Sequence, residues 1–325
     1  MNCPGHPYQQ LAPPYASPDQ YSRVWAQVFK GGWGNGPRAV TLERTIARKL
    51  DVPPEWVVAT VSPTTAMEAA CRFLIPDLDV VRMSALTSPT MYAGAVNAGL
   101  DVEFVDVDQE GWPVGPVAVA QCLWGRAHLS PAGGAPPGAG KVRILEAASR
   151  FAAPEAPDLL QRGVSVVYSF APDAECPCPA GGALVSSALA QSGVRAWLGS
   201  GSGLLPDVLA VWAREAIRRY KRAYAKRQTV LEHYVKWLGG CVVTRPGHAS
   251  GAHGVLRLSD PGTAKVVRRA LDDGRIQHDR LRPIPSPDEL PGAAALAACA
   301  VEVPVHSEMN PTSDVRRIAR RIIQA

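Results

Sequence analysis

The chain has 325 residues, 46% hydrophobic and 19% charged, with a formal net charge of +5. A chain of this length buries a sizeable core and exceeds one ordinary domain, so a globular protein with a large and a smaller domain is expected, and a disordered or fibrous class is excluded. The charge is modest for a nucleic-acid binder, and the seven cysteines are odd in number and too scattered for a disulfide framework.

Residues 1–30 are rich in Pro, Gln and Tyr with little apolar periodicity, and read as an extended arm that packs on the body or on a partner subunit. No basic-then-apolar leader opens the chain and no stretch reaches the roughly 20 apolar residues of a bilayer span, so a cytoplasmic location and no membrane partner are expected. From Val40 onward, the spacing of Leu42, Ile46 and Leu50 marks a helix. Strand and helix signals then alternate. "WVVATV" (56–61), "VVRMSA" (80–85), "VEFVDV" (102–107), "VRILEA" (142–147), "VSVVYSF" (164–170) and "GALVSS" (182–187) are apolar runs of strand length. Helices are expected at 64–73 and near 92–98. Continuous apolar runs suit a sheet buried on both faces, so the reading is a three-layer α/β domain. "GGAPPGAGK" (133–141) lacks the spacing of a phosphate-binding P-loop and reads as a surface turn. A long helix over 206–238 leads to a smaller α/β unit.

The basic residues concentrate in "RRYKRAYAKR" (218–227) and "RRIARR" (316–321). At helical periodicity Arg218, Arg222 and Lys226 share a face opposite Ile217, Tyr220 and Tyr224, the pattern of a solvated helix surface, and no nucleic-acid partner is expected. Cys176 and Cys178 are spaced as neither a usual disulfide nor a zinc pair, and "HASGAH" (248–253) has no third ligand, so no metal is expected.

Several segments fall in a particular order: "GGWGNGP" (31–37), "VTLERTIARKL" (40–50), "VSPTTAMEAA" (61–70), "GLDVEFVDVD" (99–108), "ILEAAS" (144–149), "YSFAPDAECPCPAGGALV" (168–185) and "VEVPVHSEM" (301–309). In order and spacing they resemble the DegT-type sugar aminotransferases, a branch of the fold type I pyridoxal-phosphate enzymes. The resemblance implies a three-layer α/β/α large domain over 31–238, including the long helix, and a small C-terminal α/β domain over 239–325. It also implies a homodimer with shared sites, pyridoxal or pyridoxamine 5′-phosphate as cofactor, and a small-molecule keto substrate such as a nucleotide sugar.

Carried over residue by residue, the resemblance assigns the cofactor phosphate to Ser62, Pro63, Thr64 and Thr65, where a helix N-terminus favours an anion. Locally S-P-T-T is also an ordinary helix N-cap, and Pro63 removes an amide donor. Ser169 precedes the lysine position by the family's spacing and completes the phosphate set. Glu146 stands where an Asp pairs with the pyridine nitrogen, Ser149 where Gln or His is usual, and Ser88 where an aromatic ring stacks, with Tyr92 one helical turn away. A partner subunit's asparagine would be replaced by Ser202.

Ala174 occupies the position of the Schiff-base lysine, which forms the covalent link and moves the substrate proton. Alanine does neither. Lys30, Lys141, Lys221, Lys226, Lys236 and Lys265 sit in arm, loop or helix contexts that the resemblance places away from the cofactor. Asp173, Glu175 and His306 are the nearest alternative bases. Two explanations stand: Ala174 replaces a lysine by design, as when a cofactor adduct is trapped, or the lysine was lost naturally. In the second case the scaffold serves dehydration, rearrangement or a non-catalytic binding role, in keeping with the further departures at Pro63, Ser88, Glu146 and Ser149.

Overall fold

The computed structural model describes residues 18–30, 36–125, 142–151, 156–172, 174–201, 203–247, 249, 253–279 and 289–325. The readings that fall on residues 1–17 and 31–35, the 133–141 turn, Asp173, Ser202 and His248 lie outside them.

The first described element corrects the sequence reading. Residues expected to be extended form helix α1 (Pro18–Phe29), whose Val24 and Val28, one turn apart, enter the main core. The i, i+4 pair is a short signal, masked by the Pro- and Gln-rich stretch before it.

Alternating elements follow: α2 (Pro37–Leu50), β1 (Val57–Thr60), α3 (Pro63–Leu74), β2 (Val80–Ser84), α4 (Pro89–Asn97), β3 (Asp101–Val105), β4 (Val119–Gln121), β5 (Ile144–Glu146), α5 (Ala156–Gln161), β6 (Ser165–Ser169), β7 (Gly182–Val185), α6 (Val194–Ser200) and α7 (Asp207–Leu238). The strands form one seven-stranded sheet in the order β1-β7-β6-β5-β4-β2-β3. All its pairings are parallel except those of β7, which runs antiparallel to both β1 and β6.

Strand periodicity explains the two-sided burial. Val57, Ala59, Val166, Tyr168, Ala183 and Val185 point to the face covered by α1, α2, α5 and α7. Val58, Val167 and Leu184, the residues between them, join the core under α3, α4 and α6. A sheet covered on both sides needs apolar side chains at every position, which is why its strands read as continuous apolar runs. This is the expected three-layer α/β/α domain.

Polar side chains fix the helices on that sheet. Glu43 of α2 is buried, accepts the Ala59 amide at 2.9 Å and takes a bidentate contact from Arg195 of α6 at 3.1 Å. Asp207, at the start of α7, accepts the Arg38 and Ala39 amides at 3.0 and 2.9 Å and so caps α2 from across the chain. Both groups satisfy donors that would otherwise be orphaned at a strand edge or helix end.

Helix α7 belongs to two cores. Ala210 to Ile217 pack in the large-domain core, whereas Val230, Leu231 and Tyr234 pack with the C-terminal elements. Those elements are β8 (Gly254–Arg257), α8 (Pro261–Asp273), α9 (Pro291–Cys299), β9 (Ala300–Val303) and α10 (Ser313–Ile323), with β8 and β9 paired antiparallel. Asp106, just after β3, accepts the Gly292 and Ala293 amides at 2.9 and 2.8 Å and caps α9, joining the C-terminal unit to the large sheet.

Both basic stretches are surface helices as expected. Arg218, Arg222 and Lys226 are exposed on α7 while Ile217 is buried, and Arg316, Arg317, Arg320 and Arg321 are exposed on α10. Arg227 departs from this pattern and is buried. Among the described residues no helix is long and apolar enough to cross a membrane.

Candidate active site

The C-terminal ends of β4, β5 and β6 open into a cavity of about 480 Å³. This is where ligands bind in open α/β sheets, because loops splay apart beyond the strand ends. Pro63, Ser88, Glu146, Ser149, Ser169 and Ala174 all line it, so residues spread over more than a hundred positions of sequence meet at one place.

Glu146 ends β5 and is buried, with Oε1 accepting the Ala148 amide at 2.8 Å. Ser169 ends β6, and its Oγ accepts the Ala171 amide at 3.1 Å. Directly across the ladder from Ser169 lies Gly182. A Cβ there would sit 2.8 Å from the Pro63 nitrogen and 2.9 Å from the Ser62 carbonyl carbon. Only glycine lets β7 approach the start of α3 this closely, and that approach brings the helix N-terminus beside Ser169.

Within the S-P-T-T turn the helix-cap reading holds. Ser62 Oγ accepts the Thr65 amide at 3.0 Å and bonds the Thr65 hydroxyl at 2.9 Å, and the Ala66 amide donates to the Ser62 carbonyl. Pro63 has no amide, so Thr64 supplies the first-turn amide left for an anion. Ser62, Thr64 and Thr65 stand at the helix start behind Pro63 and are not among the cavity-lining residues.

Ser88 caps α4, accepting the Met91 amide at 3.3 Å. Tyr92 packs on Phe104 of β3 with ring centroids 5.6 Å apart and gives the cavity no aromatic surface. Trp124 supplies one instead. It follows β4, is buried, and has φ 56° and ψ 26°, a left-handed conformation that costs a bulky residue roughly 1 kcal/mol or more. Neither β4 nor Trp124 was expected from sequence. The signal available was an aromatic residue placed directly after the short apolar run "VAVAQCL". Thr87, also lining the cavity, has a buried Oγ1 with no hydrogen-bond partner among the described residues.

The alternative bases fall elsewhere. Glu175 adjoins Ala174 but is turned away from the cavity: Arg227 Nη2 donates to it at 3.1 Å, and the Phe151 amide holds its other oxygen. Burial pushes its carboxyl up to about 7, against the pull of Arg227. His306 is buried and does not line the cavity. Lys30, Lys49, Lys221, Lys226, Lys236 and Lys265 are exposed, and among the described residues no lysine or arginine lines the cavity. Cys176 and Cys178 are buried thiols, the latter pushed by burial to about 12, and are inert by that measure.

His253, Asp279 and Glu302 line the cavity from the C-terminal unit. His253 Nε2 lies 3.0 Å from Ser149 Oγ, and its Nδ1 bonds the Glu302 carboxylate. Burial disfavours charge on Glu302, yet the adjacent imidazole outweighs it and holds the carboxyl below its ordinary value.

Residues 18–128 match the sequence model of the DegT/DnrJ/EryC1/StrS aminotransferase family. No curated protein sequence matches the chain. Among solved structures, the aminotransferase TlmJ from Streptoalloteichus hindustanus is similar with a TM-score of 0.81 at 19% identity, over 97% of this chain and 98% of that one. Helicobacter pylori PseC, an aminotransferase involved in the biosynthesis of pseudoaminic acid, aligns with a TM-score of 0.80 at 13% identity over 98% of both chains. Bacillus subtilis NtdA, with bound cofactor PMP, aligns with a TM-score of 0.77 at 16% identity, over 98% of this chain and 87% of that one. At these identities the structural likeness speaks to the fold alone. The likeness to the DegT/DnrJ/EryC1/StrS aminotransferase family thus rests on residues 18–128, and the full length follows the fold of solved aminotransferases.

Proposed function

We propose that the cavity holds pyridoxal or pyridoxamine 5′-phosphate without a covalent link, in a homodimeric aminotransferase-family protein acting on a keto sugar, with a nucleotide sugar as the expected class. The observation that carries the reading is the convergence of Glu146, Ser169, Ala174 and the start of α3 on one cavity. The volume suits a ligand of cofactor size.

The fit is good for binding and fails for attachment. The Thr64 amide, the α3 dipole and the Ser169 hydroxyl offer a phosphate neutral donors. Glu146 offers a carboxylate to the ring nitrogen, and the unpartnered Thr87 hydroxyl offers a further polar contact. Trp124 gives the flat apolar surface that Ser88 does not. When bound, the group supplies the amino function and an electron sink. Glu146 would favour a protonated ring nitrogen by its charge, the strand ends would orient the ligand, and His253, Asp279 and Glu302 of the C-terminal unit line one side of the cavity.

Absorption of the protein and of its Ala174→Lys variant after addition of pyridoxal phosphate tests this, followed by borohydride reduction and intact mass. A covalent mass gain in the variant alone is expected. If neither form takes up the cofactor, the reading falls. The departures at Pro63, Ser88, Glu146 and Ser149 favour natural loss of the lysine as the second reading, with dehydration, rearrangement or binding as the role. On that reading Ala174→Lys restores the link and no transamination.

A further inference from the structure

His253 and Glu302 come from the C-terminal unit and Ser149 from the turn after β5, and the three meet in one cavity. Ser149 Oγ lies 3.0 Å from His253 Nε2, and His253 Nδ1 is bonded to Glu302. Glu302 is itself fixed, since β9 pairs it with Val255 and its backbone exchanges both hydrogen bonds with Asp279, at 2.9 and 3.2 Å. A hydroxyl on an imidazole whose second nitrogen is held by a carboxylate is the arrangement that lets serine lose its proton near neutral pH. The carboxylate sets the tautomer, placing the imidazole proton on Nδ1 and the Nε2 lone pair toward the Ser149 hydroxyl.

We propose that Ser149, His253 and Glu302 form a proton relay that serves the cavity as its base in place of a lysine amine, acting on a C–H group beside the carbon that carries the substrate's oxygen or nitrogen. This rests on the function proposed above. Ser149 Oγ takes the carbon-bound proton as its own hydroxyl proton passes to His253 Nε2. The C–H electron pair stays on the substrate, and the resulting imidazolium faces the Glu302 carboxylate. Reversal returns the proton to the same carbon or to a neighbouring one, so no oxidant or co-reactant is consumed. Ser149 and His253 are the proton-transfer groups, and Glu302 is a positioning residue. Among the described residues, the other charged groups on the cavity wall are the carboxylates Glu146 and Asp279, which favour the imidazolium in the same sense as Glu302.

The test uses the full chain with ¹⁵N-labelled histidine, as wild type, Ser149→Ala, His253→Gln, Glu302→Gln and the charge-keeping Glu302→Asp. In cofactor-free protein the nitrogen shifts are expected to report His253 protonated on Nδ1. Its titration moves to lower pH in Glu302→Gln and stays near wild type in Glu302→Asp and Ser149→Ala. The same proteins, with pyridoxal phosphate and L-alanine in D₂O, are followed for deuterium uptake at the alanine Cα while cofactor absorption reports binding. Wild type is expected to exceed protein-free solution. His253→Gln loses about 100-fold or more of that uptake with cofactor still bound, Ser149→Ala also loses it, and the Glu302→Gln pH profile shifts with the His253 titration. Uptake by His253→Gln at the wild-type rate overturns the relay and leaves the proposed function standing. If no form binds the cofactor, that function falls and the nitrogen shifts decide the relay, which is overturned when the titration of His253 ignores Glu302→Gln.

Discussion

Ala174 and Glu175 are adjacent in the chain and inhabit opposite sides of the same turn. Ala174 is half-buried on the cavity wall. Glu175 is 2% exposed on the α7 side, where Arg227, the Phe151 amide and Tyr220 surround its carboxyl. The contrast separates two jobs that sequence proximity had merged. The carboxylate beside Ala174 anchors the turn to α7, and the proton acceptor proposed above arrives from the C-terminal unit, more than seventy residues further along.

The strongest way to break this contrast is to strand the anchor. Arg227→Met leaves a buried carboxylate without its cation and is expected to cost about 3–5 kcal/mol at pH 8 in urea unfolding. The penalty shrinks at pH 5.5, where Glu175 takes up a proton, and an equal cost at both pH values contradicts the anchor role. Next comes the pH dependence of the unmutated protein. Burial raises Glu175 above its ordinary 4.5 to about 7, so the folded state binds this proton more tightly than the unfolded one. That contribution is complete below about 4.5 and is lost as the pH climbs to about 7. Relative to Glu175→Gln, wild-type stability should therefore decline across that window, and parallel pH curves would refute it.

On the cavity side, Gly182→Ala drives a methyl group against Pro63 and Ser62. It is expected to cost about 1–3 kcal/mol and also to weaken uptake of pyridoxal phosphate, measured by absorption titration. Arg227→Met should affect uptake less at matched stability. The smallest effects belong to the trans caps. Asp207→Ala and Asp106→Ala should each cost about 0.5–2 kcal/mol of thermal stability. Asp207→Ala loosens α2 alone, and Asp106→Ala loosens the contact between α9 and the large sheet, seen as faster amide exchange at Gly292 and Ala293.

Sequence alone carried the layered architecture well, because buried strands such as "VSVVYSF" must be apolar at every position. It missed β4, whose three residues Val119–Gln121 are too few and too mixed to register. It missed α1 because one pair of valines is a faint helical signal beside a Pro-rich arm. At the cavity, Glu146, Ser149, Ser169 and Ala174 were singled out by the family resemblance, and all four line the same cavity. The partnership of Ser149 with His253 and Glu302 was not legible, since it depends on how β8 and β9 dock, and nothing near "HASGAH" or "VEVPVHSEM" announces it. Arg227 ends a basic stretch read as a solvated helix surface, and its burial was not legible because its partner Glu175 lies in a distant turn.

Helix α7 has a mechanical consequence. Its 32 residues make a rod of about 48 Å. One end is tied to α2 through Asp207, and the other is seated in the C-terminal core, where the Tyr234 hydroxyl donates to the Pro304 carbonyl at 3.1 Å. A rod gripped at both ends transmits rotation rather than absorbing it, so the junction after Leu238 is a poor hinge. Any rocking of the C-terminal unit must flex the helix itself. Such a motion would swing His253 and Glu302 together toward or away from Ser149, as the jaw of a clamp moves on a sprung arm.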